Sequence, residues 1–131
     1  MHKQYLVTAA WLAAITVALG AFGAHGLKAI LTPASLATFE TGVRYQFYHV
    51  FALAITGILW KEYPGKLLLM AGRFLILGIL FFSGSLYLLT FLAAQGISDF
   101  RWVGAITPVG GLFFILAWFL LGLSLLRSGK Q

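Results

Sequence analysis

The chain has no cysteine, which excludes disulfides, iron–sulfur clusters and thiol chemistry and removes any clue to a redox compartment. Acid is nearly as scarce, with Glu40, Glu62 and Asp99 the only carboxylate side chains against nine Lys and Arg. Charged residues fill 9% of the 131 positions, where a soluble domain carries about 25%. So few charges cannot coat a water-facing surface, and they exclude disorder, coiled coil and a soluble globular domain. The basic excess of +6, with a pI near 10.0, does not make a nucleic-acid partner, because the Lys and Arg are scattered rather than gathered on one face. Cations at loops and helix ends beside anionic lipid account for it.

What is present is apolar: 61% hydrophobic and 16% aromatic. A membrane-crossing helix needs about 20 apolar residues, so four would take roughly 80 positions and leave no room for a soluble domain. The runs fall at residues 5–25, 41–60, 74–94 and 102–126 of a single integral membrane domain, 1–131. The expected fold is all-α, an up-and-down bundle of four transmembrane helices. The first run, Tyr5 to Ala24, is uncharged and too long for a signal-peptide core of about 7 to 15 residues. Thr32 before Pro33 marks the start of helix two, because the hydroxyl caps free N–H groups and proline needs no donor at the first position. That helix would reach Trp60, about 28 residues or roughly 42 Å, longer than the hydrocarbon thickness of about 30 Å, so its first turns protrude or tilt. Pro64-Gly65 breaks the chain into a tight polar turn. Gln95, Gly96, Ser98, Asp99 and Arg101 make the next loop, and Pro108 interrupts the last helix.

Counting cations orients the bundle. One side holds Lys3, Lys61, Lys66, Arg73, Arg127 and Lys130, the other Lys28, Arg44 and Arg101. Six against three places both termini inside, in the cytoplasm. Trp60, Tyr63 and Trp102 suit the interfacial belts, whereas Trp11 and Trp118 lie deeper. Ala10, Ala14 and Ala18 recur every four positions, as do Thr107 and Gly111, a spacing expected where helix backbones approach closely in lipid. The two halves of the chain show no repeat of the kind transporters are built from.

Polar residues are costly inside a bilayer, which makes the stretch from Glu40 to His49 the most informative. Glu40 and Arg44 stand four apart in the better order for a helical ion pair. Arg44 lies about one turn inside the outer boundary and His49 about 12 Å inside it. An ionisable side chain at that depth normally faces the bundle interior and marks function, although a neutral His49 and Gln46 also serve as hydrogen-bonding glue between helices. His25 closes the first run. A metal or haem site shared by His25 and His49 is disfavoured because their depths differ by about two turns, and capping of carbonyls is the better account of His25. Ser83 and Ser85 have no base beside them in the sequence, so back-bonding to their own helix fits better than a nucleophile. No catalytic residue, metal ligand set or cofactor is expected.

Four segments carry a resemblance: Gly20-Ala21-Phe22-Gly23-Ala24-His25-Gly26-Leu27, Thr41-Gly42-Val43-Arg44-Tyr45-Gln46-Phe47-Tyr48-His49, Phe82-Ser83-Gly84-Ser85-Leu86-Tyr87 and Gly104-Ala105-Ile106-Thr107-Pro108-Val109-Gly110-Gly111. In this order they resemble the small bacterial membrane-protein family of YgdD and YwdK, a domain of unknown function related to transmembrane protein 256 of animals. The resemblance covers nearly the whole chain and includes His25, Tyr45, Tyr48 and His49. It implies a four-span protein of the bacterial plasma (inner) membrane and supplies no substrate.

The functional expectation is a membrane binding or assembly protein. Its polar pocket, at the outer ends of spans one and two, is built from His25, Glu40, Arg44, Tyr45, Tyr48 and His49. The pocket would take a lipid headgroup or small anionic ligand, since Arg44 presents a planar fork of donors suited to phosphate or carboxylate. Membrane lipid is the expected partner, with a second copy of the chain or another membrane protein beside it. The alternative is a small transporter or proton-linked carrier using His49.

Overall fold

The computed structural model describes residues 1–97 and 99–128. Ser98, assigned above to a loop, and Lys130, counted among the cations, lie outside them. Helix α1 spans Lys3–His25 and is followed by a short 3-10 turn, Leu27–Ala29. Helix α2 spans Pro33–Leu59, α3 Lys66–Gly78, α4 Gly84–Ala94 and α5 Arg101–Ser128. A π-helical turn, Ile79–Ser83, joins α3 to α4, so these three pieces make one rod and the bundle has four. Among the described residues there is no strand.

The helix ends follow from local chemistry. Thr32 caps α2, its hydroxyl oxygen accepting from Ser35 N–H at 3.2 Å, with Pro33 in the first turn. His2 caps α1 by accepting from Tyr5 N–H. The Pro64-Gly65 turn stands between α2 and α3.

The rods pack in sequence: α1 on α2, α2 on the third rod, and the third rod on α5. Tyr5, Ala9, Leu53, Leu75 and Phe114 share one core cluster, and Leu68, Ala71 and Leu121 a second. The chain reverses direction at each connection. His2 N–H donates to the Gly57 carbonyl at 2.8 Å and Tyr5 Oη to the Leu69 carbonyl at 2.6 Å, which puts the start of α1 beside the end of α2 and the start of α3. Leu121 near the end of α5 packs on Leu68 of α3 at the same end.

Three rods are long and apolar enough to cross a membrane: Lys3–Ala29, Lys66–Ala94 and Arg101–Arg127. Helix α2 has comparable length, 27 residues, but Glu40, Arg44, Gln46 and His49 dilute its apolar character. It compensates by position, packing against both α1 and the third rod.

The small-residue spacing on α1 turns out to face outward. Ala10, Ala14 and Ala18 are exposed, while Ala9, Thr16 and Gly23 are buried against α2 and its neighbours. An α1 that is apolar on every side gives its periodicity nothing to point with. On α5 the close approach falls one residue from the expected Gly111, at Gly110. A Cβ there would collide with the Phe82 backbone, whereas one at Gly111 would meet the Phe82 ring at 3.8 Å.

Candidate functional site

An α-helix turns about 100° per residue, so nine residues carry the chain through two and a half turns and set Glu40 and His49 on opposite faces of α2. The six expected pocket residues therefore divide. Glu40 and Arg44 are exposed and, among the described residues, no ion pair joins them. Tyr45 and Tyr48 are 39% and 54% exposed with ring centroids 5.8 Å apart. His49 is 6% exposed and belongs to the buried side, 6.2 Å from the Tyr45 ring. His25 ends α1 as an exposed residue, and the cap there is Gly26 N–H donating to the Phe22 carbonyl, not the imidazole. The structure thus joins Tyr45, Tyr48 and His49 and leaves His25, Glu40 and Arg44 on the surface toward the end where α1 leads into α2.

The buried side of α2 carries the polar network. Gln46 lies between two partners, its Nε2 donating to Thr16 Oγ1 at 2.8 Å and its Oε1 accepting from Tyr87 Oη at 2.7 Å. One side chain so ties α1, α2 and α4 together. Thr16 in turn donates to the Leu12 carbonyl. Ser83 donates across the interface to the Gly42 carbonyl at 2.7 Å, while Ser85 bonds back to the Phe82 carbonyl and meets Thr107 Oγ1 at 2.6 Å. The back-bonding expected of both serines holds for Ser85 alone. Among the described residues every fully buried side-chain nitrogen and oxygen has a partner, as a low-dielectric interior demands.

His49 occupies an aromatic seam between α2, the π turn and α5. Its ring stacks on Phe114 with centroids 3.5 Å apart and planes 9° from parallel, and Trp118 approaches edge-on at 6.1 Å. Phe82 closes the seam, 4.8 Å from Tyr45 and 5.5 Å from Phe114. The π turn carries Phe82, and turns of this type are frequent at functional sites. His49 Nδ1 donates to the Tyr45 carbonyl at 2.6 Å, so Nδ1 carries a hydrogen. Nε2 has no hydrogen-bond partner among the described residues and is not fully buried. Among the described residues no three His, Asp or Glu side chains gather as metal ligands.

Thr16, Tyr87, Phe82, Phe114 and Trp118 were not legible as site residues. Thr16 and Tyr87 join Gln46 only through packing of segments 30 and 41 residues away. Phe82 takes its place through a turn that no local pattern marks. The one available signal was Gln46 itself, a buried amide with two ends to satisfy.

A family model described as "Protein of unknown function (DUF423)" matches residues 19–111, a stretch holding His25, Glu40, Arg44, Tyr45, Tyr48 and His49. The chain is 39% identical over 122 residues to a UPF0382 membrane protein of Staphylococcus haemolyticus, covering 93% of this chain and 94% of the relative. It is 37% identical over 120 residues to the UPF0382 membrane protein YwdK of Bacillus subtilis, covering 91% and 93%. With the UPF0382 inner membrane protein YgdD of Escherichia coli it shares 34% identity over 126 residues, 96% and 92% of the two chains. No solved structure matches the chain.

Proposed function

The chain belongs to the DUF423 family, and from that premise we propose that it is a lipid-binding or assembly protein of the bacterial inner membrane that holds an anionic headgroup against the outer half of α2. It is a membrane protein of unassigned activity with several spanning helices. The inner-membrane location is drawn from YgdD, and the cytoplasmic placement of both termini from the excess of cations at their end.

The observation that carries the reading is Arg44: exposed, free of any carboxylate, and followed on the same helix by the exposed hydroxyls of Tyr45 and Tyr48. Arginine's fork of donors suits a phosphate, and the tyrosines are amphipathic in the way an interface favours. The surface is open rather than an enclosed pocket. His49 backs Tyr45 from behind, Glu40 competes for Arg44, and His25 stands at the same outer end, so modest affinity is expected.

Native mass spectrometry of the full chain in mild detergent tests this and reports copy number as well. Arg44→Ala should bind one anionic lipid fewer than wild type, and Glu40→Gln as many as wild type. Arg44→Ala holding as many anionic lipids as wild type would defeat the proposal.

A carrier working through His49 has less support. The Thr16–Gln46–Tyr87 chain passes it by, and its Nδ1 is committed to a carbonyl of its own helix. Proton current in proteoliposomes, abolished by His49→Ala, would reverse that preference.

A further inference from the structure

The end of the bundle where α1 starts and α5 finishes contains a cavity of about 530 Å³ between the α2–α3 turn and the last turns of α5. Glu62, Tyr63, Lys66, Leu68, Ser124 and Arg127 line it. Lys66 and Arg127 are exposed, and among the described residues neither forms an ion pair with Glu62. Two unneutralised cations thus face one space at an end that already carries Lys3, Lys61 and Arg73 with Glu62 as its one acid among the described residues. Gly65 gives α3 no side-chain cap, so unbonded N–H groups of its first turn border the same space and add to the positive potential.

The floor of the cavity is apolar. Leu68 is fully buried and packs on Leu121, with Trp60 and Tyr63 around them. A cationic rim over an apolar floor at the membrane boundary suits the headgroup end of an amphiphile.

We propose that this end binds one anionic phospholipid of the cytoplasmic leaflet, its phosphate between Lys66 and Arg127. The site is separate from the Arg44 surface, which lies at the opposite end of the bundle and is left intact in every variant below.

The test is native mass spectrometry of the full chain in detergent, titrated separately with phosphatidylglycerol, phosphatidylcholine and inorganic phosphate. Phosphatidylglycerol should bind and phosphatidylcholine should not. The double variant Lys66→Gln/Arg127→Gln should bind about a hundredfold more weakly, the scale of two lost charge-assisted contacts, and Lys61→Gln, at the same end but outside the cavity, should bind as wild type. Glu62→Gln should bind more tightly. Gly122→Leu, on another face of α5 with open space where a Cβ would stand, should bind as wild type. Phosphatidylcholine binding as tightly as phosphatidylglycerol overturns the proposal, as does an equal loss in Lys61→Gln or a weaker Glu62→Gln. Inorganic phosphate that binds and displaces the lipid would assign the cavity to free phosphate and overturn the lipid. If the Arg44 reading alone fails, the lipid lost in Lys66→Gln/Arg127→Gln is still lost.

Discussion

Gly110 of α5 lies directly on the backbone of Phe82 in the π turn, so close that an added Cβ would overlap Phe82 N and Cα. The obstruction is main chain within a helical rod, which cannot swing aside as a side chain does. This contact holds the third and fourth rods at backbone distance, where van der Waals packing is the main cohesive force in lipid.

Gly110→Ala should therefore destabilise the bundle by about 1–3 kcal/mol, as overpacking does. Gly111→Ala, with the Phe82 ring at 3.8 Å, should unfold within a degree or two of wild type on the same scale. Thermal unfolding in detergent measures both, and equal behaviour would mean that α5 is rotated from the described position.

Replacing Gln46 by Leu leaves Tyr87 without its acceptor and Thr16 without its donor. The expected cost is about 1–2 kcal/mol, since single interhelical bonds in membrane proteins average about 0.6 and reach about 1.7 kcal/mol. A double-mutant cycle with Tyr87→Phe should give positive coupling. Additive losses would show that the two side chains do not meet.

On α1 the exposed and buried positions separate cleanly. Ala14→Leu should leave stability unchanged because Ala14 is exposed, whereas Thr16→Leu should lower it, Thr16 being fully buried against Gln46. Detergent unfolding of the two variants decides which face of α1 meets protein.

Orientation is open to labelling. A cysteine at Lys28 should react with an impermeant thiol reagent from outside intact cells, and one at Tyr63 only after permeabilisation. The reverse pattern would turn the bundle over and move the proposed phospholipid site to the outer leaflet.

Much of the fold was legible because its punctuation is chemical. Thr32-Pro33 starts a helix and Pro64-Gly65 breaks one for reasons carried by those residues alone, and uncharged runs of membrane length admit few other readings. Facing was not legible. A helix apolar on all sides gives no periodic signal, which is why Ala14 was assigned to a contact it does not make. The π turn hides for a related reason: Ile79 to Ser83 reads as ordinary helix, and only the backbone of Gly110 pressing on Phe82 marks it as different. At the candidate site the polar stretch singles out α2, whose buried face carries Gln46 and His49. Sequence adjacency alone groups its six residues in one pocket, because it does not register the half-turn between Glu40 and His49.

Helix α2 is the one rod that length and composition do not commit to a bilayer, and this bears on how the protein is made. Its polar side chains find their partners late in the chain. Of the groups that bond its inward face only Thr16 precedes it in sequence, while Ser83 and Tyr87 follow it. A chain cut before the third rod would therefore leave Gln46 and the Gly42 carbonyl each short of one partner.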